Sequence, residues 1–105
     1  MPEPAARQAY RSVVVNITPG NPPKVDLDPV EVSKSRKDEV VWECEGDPNF
    51  EVIFETDSPF NDDHFKKGKN QSGPAKGNAK EKPHVYKYTV TAGGGTLDPG
   101  TIVNP

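Results

Sequence analysis

Five side chains in this 105-residue chain have the chemistry for work beyond ordinary solvation: Cys44, Asp62, Asp63, His64 and His84. A thiolate and two imidazoles are the soft ligands that copper or zinc selects. A carboxylate beside an imidazole can serve general acid–base chemistry. Their spacing is unpromising for either task. A single cysteine excludes an internal disulfide and the usual multi-cysteine zinc site. Asp62, Asp63 and His64 are neighbours, and neighbours on an extended chain point in opposite directions, so they converge only through a special turn. Each residue also has an ordinary reading. Cys44 shares a strand face with Trp42 and reads as a small buried hydrophobe. His64 lies in a charged loop and reads as solvated. His84 follows Pro83 at the start of an apolar run and reads as a polar strand end. No Ser-His-Asp or Cys-His arrangement has a supporting context. Gly93-Gly94-Gly95 precedes no helix, so it lacks the anion site of a helix N-terminus and reads as a turn that needs positive φ.

The elements that would position these groups are strands. Ser12–Thr18 places Val13, Val15 and Ile17 on one face, and Pro19-Gly20-Asn21-Pro22-Pro23 ends it. Asp28-Pro29 introduces 30–33, with Val30 and Val32 inward. A charged turn, 34–38, leads to 39–44, with Val40, Trp42 and Cys44 on one face and Glu39 and Glu43 on the other. After a turn at 46–49, residues 50–55 alternate, with Phe50, Val52 and Phe54 inward and Glu51 and Glu55 outward. His84–Val90, the glycine turn and Leu97–Val103 read as a strand, a tight loop and a closing strand. Short alternating runs separated by turns predict an all-β sandwich. The expected core is Val13, Val15, Ile17, Val30, Val32, Val40, Trp42, Phe50, Val52, Phe54, Tyr86, Tyr88, Val90 and Ile102. Residues 1–10 predict a flexible arm, and 11–105 a single domain.

Residues 57–82 break the pattern, showing neither a strand-like run nor a helical stripe, with at most a short strand around Gly73–Lys76. Six lysines (66, 67, 69, 76, 80 and 82) face four carboxylates there, a net +2 within a total of −3, which leaves −5 on the rest. Such a separation can steer an acidic partner. It can equally be a soluble loop whose lysines discourage edge pairing. Phe60 and Phe65 in the same stretch either anchor the loop on the sandwich or serve as exposed contacts.

Composition narrows the function classes. Hydrophobic content of 31% with twelve prolines and nine glycines suits a small β domain with long polar loops. A pI near 5.3 argues against a dedicated nucleic-acid binder. No apolar run approaches the roughly 20 residues needed to cross a membrane as a helix. The first residues hold no secretory h-region, so a cytoplasmic location is expected unless a signal has been removed. The Asn-x-Ser/Thr triplets at Asn16 and Asn70 matter only in a secreted protein.

Three segments together resemble the cupredoxins, the small blue-copper sandwich proteins. Pro29-Val30-Glu31-Val32 with Asp38-Glu39-Val40-Val41-Trp42 resembles that family's early strand, acidic turn and strand ending in tryptophan. Asn49-Phe50-Glu51-Val52-Ile53-Phe54 resembles the segment that carries its first histidine ligand. Tyr86-Lys87-Tyr88-Thr89-Val90 through Gly100-Thr101-Ile102-Val103 resembles the final strand, ligand loop and closing strand. The resemblance covers about residues 25–103 and implies a cupredoxin-like Greek-key sandwich with a long Lys-rich loop. It places the first histidine at Asn49 or Phe50, the cysteine at Val90, the second histidine near Gly93 and the axial methionine near Leu97 or Asp98. None of these residues can supply the ligand required. The implied protein is a family member without a type 1 copper site.

The expectation is therefore a non-catalytic binding module with no cofactor. A protein partner of acidic character would be contacted through the 57–82 and 92–97 loops, with Phe60, Phe65, Lys66, Lys67 and Lys69 as contact residues. No nucleic acid or membrane is expected, and the state is monomer or weak oligomer. The alternative is an atypical copper-binding or electron-transfer protein using Cys44, His64 and His84. A third reading is an enzyme built on Asp62, Asp63 or His64.

Overall fold

The computed structural model describes residues 11–105, so the arm expected at 1–10 lies outside the described residues. The described chain is all β: β1 (Ser12–Thr18), β2 (Lys24–Val25), β3 (Val30–Ser33), β4 (Glu39–Glu43), β5 (Glu51–Ile53), β6 (His64–Lys66), β7 (Gln71–Pro74), β8 (Val85–Lys87), β9 (Thr89–Ala92), β10 (Gly95–Leu97) and β11 (Gly100–Asn104). They form three sheets, ordered β2-β1-β4-β7, β10-β9-β5-β6 and β3-β11-β8. Only Tyr88 separates β8 from β9, so the second and third sheets share one line of chain. All three sheets contribute to a single apolar core, which gives a sandwich-like arrangement.

Two pairings are parallel, β1 with β4 (Val15 opposite Trp42) and β3 with β11 (Val32 opposite Val103). A parallel pair cannot be closed by a tight hairpin. Between β1 and β4 the chain therefore leaves through β2, lays β3 into another sheet and returns.

Trp42 sits at the centre of the core and is fully buried. Its ring lies 4.9 Å from Phe65, 5.6 Å from Tyr88, 6.2 Å from Phe54 and 6.4 Å from Phe60, mostly edge to face. Phe60 and Phe65 are thus core residues, at 1% and 0% exposure, and cannot serve as the exposed contacts that were one reading of them. Of the expected core, Val13 is half-buried against the cluster. Ile102 turns the other way: pairing β11 with β3 sets Thr101 opposite Val30 and Val103 opposite Val32, so Ile102 lies beside the outward Glu31.

The 57–82 stretch, expected to carry little regular structure, holds β6 and β7 and is tied down throughout. The Ser58 hydroxyl donates to the Asp62 carbonyl at 2.7 Å and accepts from the Phe60 amide at 3.1 Å. The Asp63 carbonyl accepts from the Phe54 amide at 2.8 Å, and the Asn70 side-chain amide donates to the Trp42 carbonyl at 2.8 Å. At an irregularity between β4 and β7, Ser72 Oγ accepts from the Val40 amide (2.8 Å) and donates to the Gly73 carbonyl (2.7 Å). Ser72→Ala leaves that buried amide unpaired and should cost about 1–3 kcal/mol in urea unfolding.

Glu39, expected to face outward, is also buried. Its carboxylate accepts from the Gly73 amide (3.2 Å) and the Ser12 hydroxyl (3.3 Å). Asp38, expected in a solvated turn, is 1% exposed; it accepts from the Ser33 amide at 2.9 Å and pairs with Arg11 at 3.1 Å. Buried charge of this kind is tolerated because it is paired.

Candidate functional site

One end of the β10-β9-β5-β6 sheet gathers the segments of interest. Register aligns Thr96, Thr91, Glu51 and Lys66 in one row across the four strands. Beyond the row lie the 92–95 turn, the 46–50 segment and the turn after β6. Gly93 and Gly94 adopt φ of 67° and 88°, as expected for the glycine turn, while Gly95 belongs to β10. Asp47 links two of these segments. Its carboxylate accepts from the Gly93 amide (2.8 Å) and from the Asn49 amide (2.9 Å), and these donors hold its pKa below the usual carboxylate range.

Of the positions at which the resemblance implies copper ligands, Asn49, Phe50 and Gly93 lie at this end, and Val90 and Leu97 pair one row further in. Asp98 lies toward the other end, where it accepts from the Thr89 hydroxyl at 3.0 Å. Phe50 is 3% exposed and Val90 0%, so both are ordinary core. The backbone closes over the remaining space. A Cβ on Gly93 would collide with the Gly20 nitrogen, and one on Gly95 would lie 2.6 Å from the Gly20 oxygen. Gly20 also donates its amide to the Ala92 carbonyl at 3.3 Å. An imidazole at Gly93 would collide with main chain, and no imidazole, thiol or thioether stands at the implied ligand positions. The residues present do not fit a type 1 copper ion.

The dispersed soft ligands do not converge. Cys44 ends the β4 side of the sandwich, where burial pushes its thiol pKa up against the pull of the Asp47 and Gly46 amides. His64, opposite Ile53 in the β5–β6 pair, reaches diagonally to Glu51, with 3.8 Å between Nε2 and Oε2. His84 packs edge-on against Tyr86 with 4.5 Å between ring centroids. Among the described residues, no group of three or more His, Cys, Asp or Glu side chains is placed to hold a metal. Asp62 pairs with Lys69 at 3.6 Å, while His64 turns to Glu51 and Asp63 contributes its carbonyl to Phe54. The three adjacent residues thus serve different neighbours rather than one reacting centre.

The lysines are differently placed. Lys66 and Lys69 close a tight turn by mutual backbone hydrogen bonds (3.0 and 2.8 Å), with Gly68 at φ 89°. Lys66, Lys67 and Lys69 are all exposed. Lys69 has the Asp62 partner, whereas Lys66 and Lys67 make no ion pair among the described residues. Both wall an open cleft of about 530 Å³ whose other side is Pro48, Asn49, Phe50 and Glu51. The sequence shows the charges but not this opposite wall, which exists only through the β5–β6 register. Of the five expected contact residues, three lysines remain available and the two phenylalanines do not.

Among the described residues, no helix is long and apolar enough to cross a membrane. Comparison with protein-family models, curated proteins and solved structures returned no match.

Proposed function

We propose that this chain is a cupredoxin-like Greek-key sandwich without copper, used as a non-catalytic module that binds an acidic protein segment. The fold half of the reading is supported by the path of the chain, which crosses repeatedly between sheets and seats its last strand parallel to β3. It is also supported by the segments that resemble the family, all of which form strands meeting in one core.

The observation that carries the functional half is the cleft between Lys66–Lys67 and Pro48–Glu51, with two unpaired ammonium groups on one wall. The other wall is formed by Pro48, Asn49, Phe50 and Glu51, with the Phe50 ring turned into the core, and an extended peptide can lie along it. Glu51 lies nearest His64, at 3.8 Å, and makes no ion pair with either lysine, which leaves both ammonium groups open to an incoming carboxylate. The 92–97 turn borders the same end through Asp47 and extends the contact surface.

The test is a titration of an Asp/Glu-rich peptide into isotope-labelled protein. Amide shifts should concentrate at Asn49–Glu51, Lys66–Asn70 and Gly93–Gly95 and fade with added salt. Combined Lys66→Glu, Lys67→Glu and Lys69→Glu substitution should weaken binding by roughly tenfold or more at low salt, with the melting temperature little changed. Unaltered affinity in that variant would overturn the assignment of this surface.

A further inference from the structure

A second cavity, at the opposite end of the β5–β9 pair, has a different character. Pro48–Glu51 open β5, whereas Thr56 and Asp57 follow it, and these last two line a pocket of about 410 Å³ with Lys80, His84, Val85, Tyr86 and Lys87. The volume lies within the range of small-molecule sites.

Its lining combines charge with exposed hydrocarbon. Val85 is 43% exposed, more than Val14 or Leu27, the other large apolar side chains left uncovered. Beside it, the His84 and Tyr86 rings meet edge to face at 4.5 Å. The Tyr86 hydroxyl accepts the Lys80 amide at 2.8 Å, which fixes the lysine's main chain at the rim. Lys80, Lys87 and Asp57 make no ion pair among the described residues, although all three border one cavity. Two cations against one anion leave a single net positive charge around an apolar wall.

We infer that this pocket binds a small monovalent organic anion with an apolar body, its anionic group between Lys80 and Lys87 and its body against Val85 and the His84–Tyr86 edge. Asp57 disfavours a second negative charge on the ligand. The site is independent of the cleft at Lys66–Lys67, and neither stands or falls with the other.

Benzoate is a suitable probe, with acetate and inorganic phosphate as comparisons that lack the apolar body. Titrated into isotope-labelled protein, benzoate should shift the amides of Thr56, Asp57, Lys80, His84, Val85 and Lys87 along one saturable curve. Acetate and phosphate should bind roughly tenfold more weakly, and Val85→Ser and the Lys80→Gln/Lys87→Gln pair should each weaken benzoate by a similar factor. All three substitutions lie on exposed side chains, so the variants should fold. Absence of a saturable shift at these residues would overturn the proposal. So would equal binding of the three anions, or benzoate affinity unchanged in the variants.

Discussion

Trp42→Ala and Phe65→Ala should each remove about 3–5 kcal/mol from the free energy of unfolding. That is a large part of what a domain of this size has, since such domains hold about 5–15 kcal/mol in all. The equality is the informative part. Trp42 lies on a strand that the alternation of β4 places in the core, whereas Phe65 lies in a stretch of lysines and aspartates. Both are fully buried, and their rings are 4.9 Å apart. A surface phenylalanine would cost within about 0.5 kcal/mol on truncation. Chemical unfolding of the two variants separates these cases. Because the rings touch, the double variant should lose less than the sum of the two.

The second large effect is expected at alkaline pH. Tyr88 is 1% exposed, and burial pushes its phenol up to about 12, against the opposing pull of the Trp42 indole N–H and with smaller upward contributions from Asp28 and Asp26. The unfolded chain releases the same proton near 10. The folded state therefore holds the proton more tightly. Its contribution to stability is complete below pH 10 and is lost as pH rises through 12, about 3 kcal/mol in total. Urea unfolding between pH 8 and 12 should show the wild type falling relative to Tyr88→Phe, which cannot ionise. Parallel pH curves for the two proteins would contradict the burial of that hydroxyl.

Trp42 and Phe65 mark how far the sequence is legible. In 39–44 alternation finds Val40 and Trp42 but misses Glu39, which is buried as well. In 12–18 and 50–55 it identifies the inward side chains, with Val13 only half-buried, because each run is long enough to fix its own phase. Residues 100–104 are not. In Thr101-Ile102-Val103 the apolar preference of isoleucine points one way, but pairing with Val30 and Val32 turns Thr101 and Val103 inward instead. β6 has one apolar residue between a histidine and a lysine, so no local pattern announces it, and its position is set by Val52 opposite Phe65. Asp38 reads as a solvated turn residue because its partners, the Ser33 amide and Arg11, are brought to it only by the folded chain.

The candidate site divides in the same way. The excess of lysine at 66, 67 and 69 and the positive-φ glycines at 93 and 94 are visible in the sequence. The cleft wall at Pro48–Glu51 and the Asp47 link to Gly93 depend on register between distant segments. The resemblance directs attention to the end of the sheet that holds the glycine turn. What closes that end, the main-chain contact of Gly93 and Gly95 with Gly20, follows only from three-dimensional packing.

A copper titration of freshly reduced protein, followed by absorption and by thermal melting, tests most directly whether this end is closed by packing rather than by a metal. No intense thiolate charge-transfer band is expected at one equivalent of copper, and no rise in melting temperature. A one-to-one complex with that band, together with a melting temperature raised through binding linkage, would contradict closure by packing and turn the reading toward copper handling through Cys44.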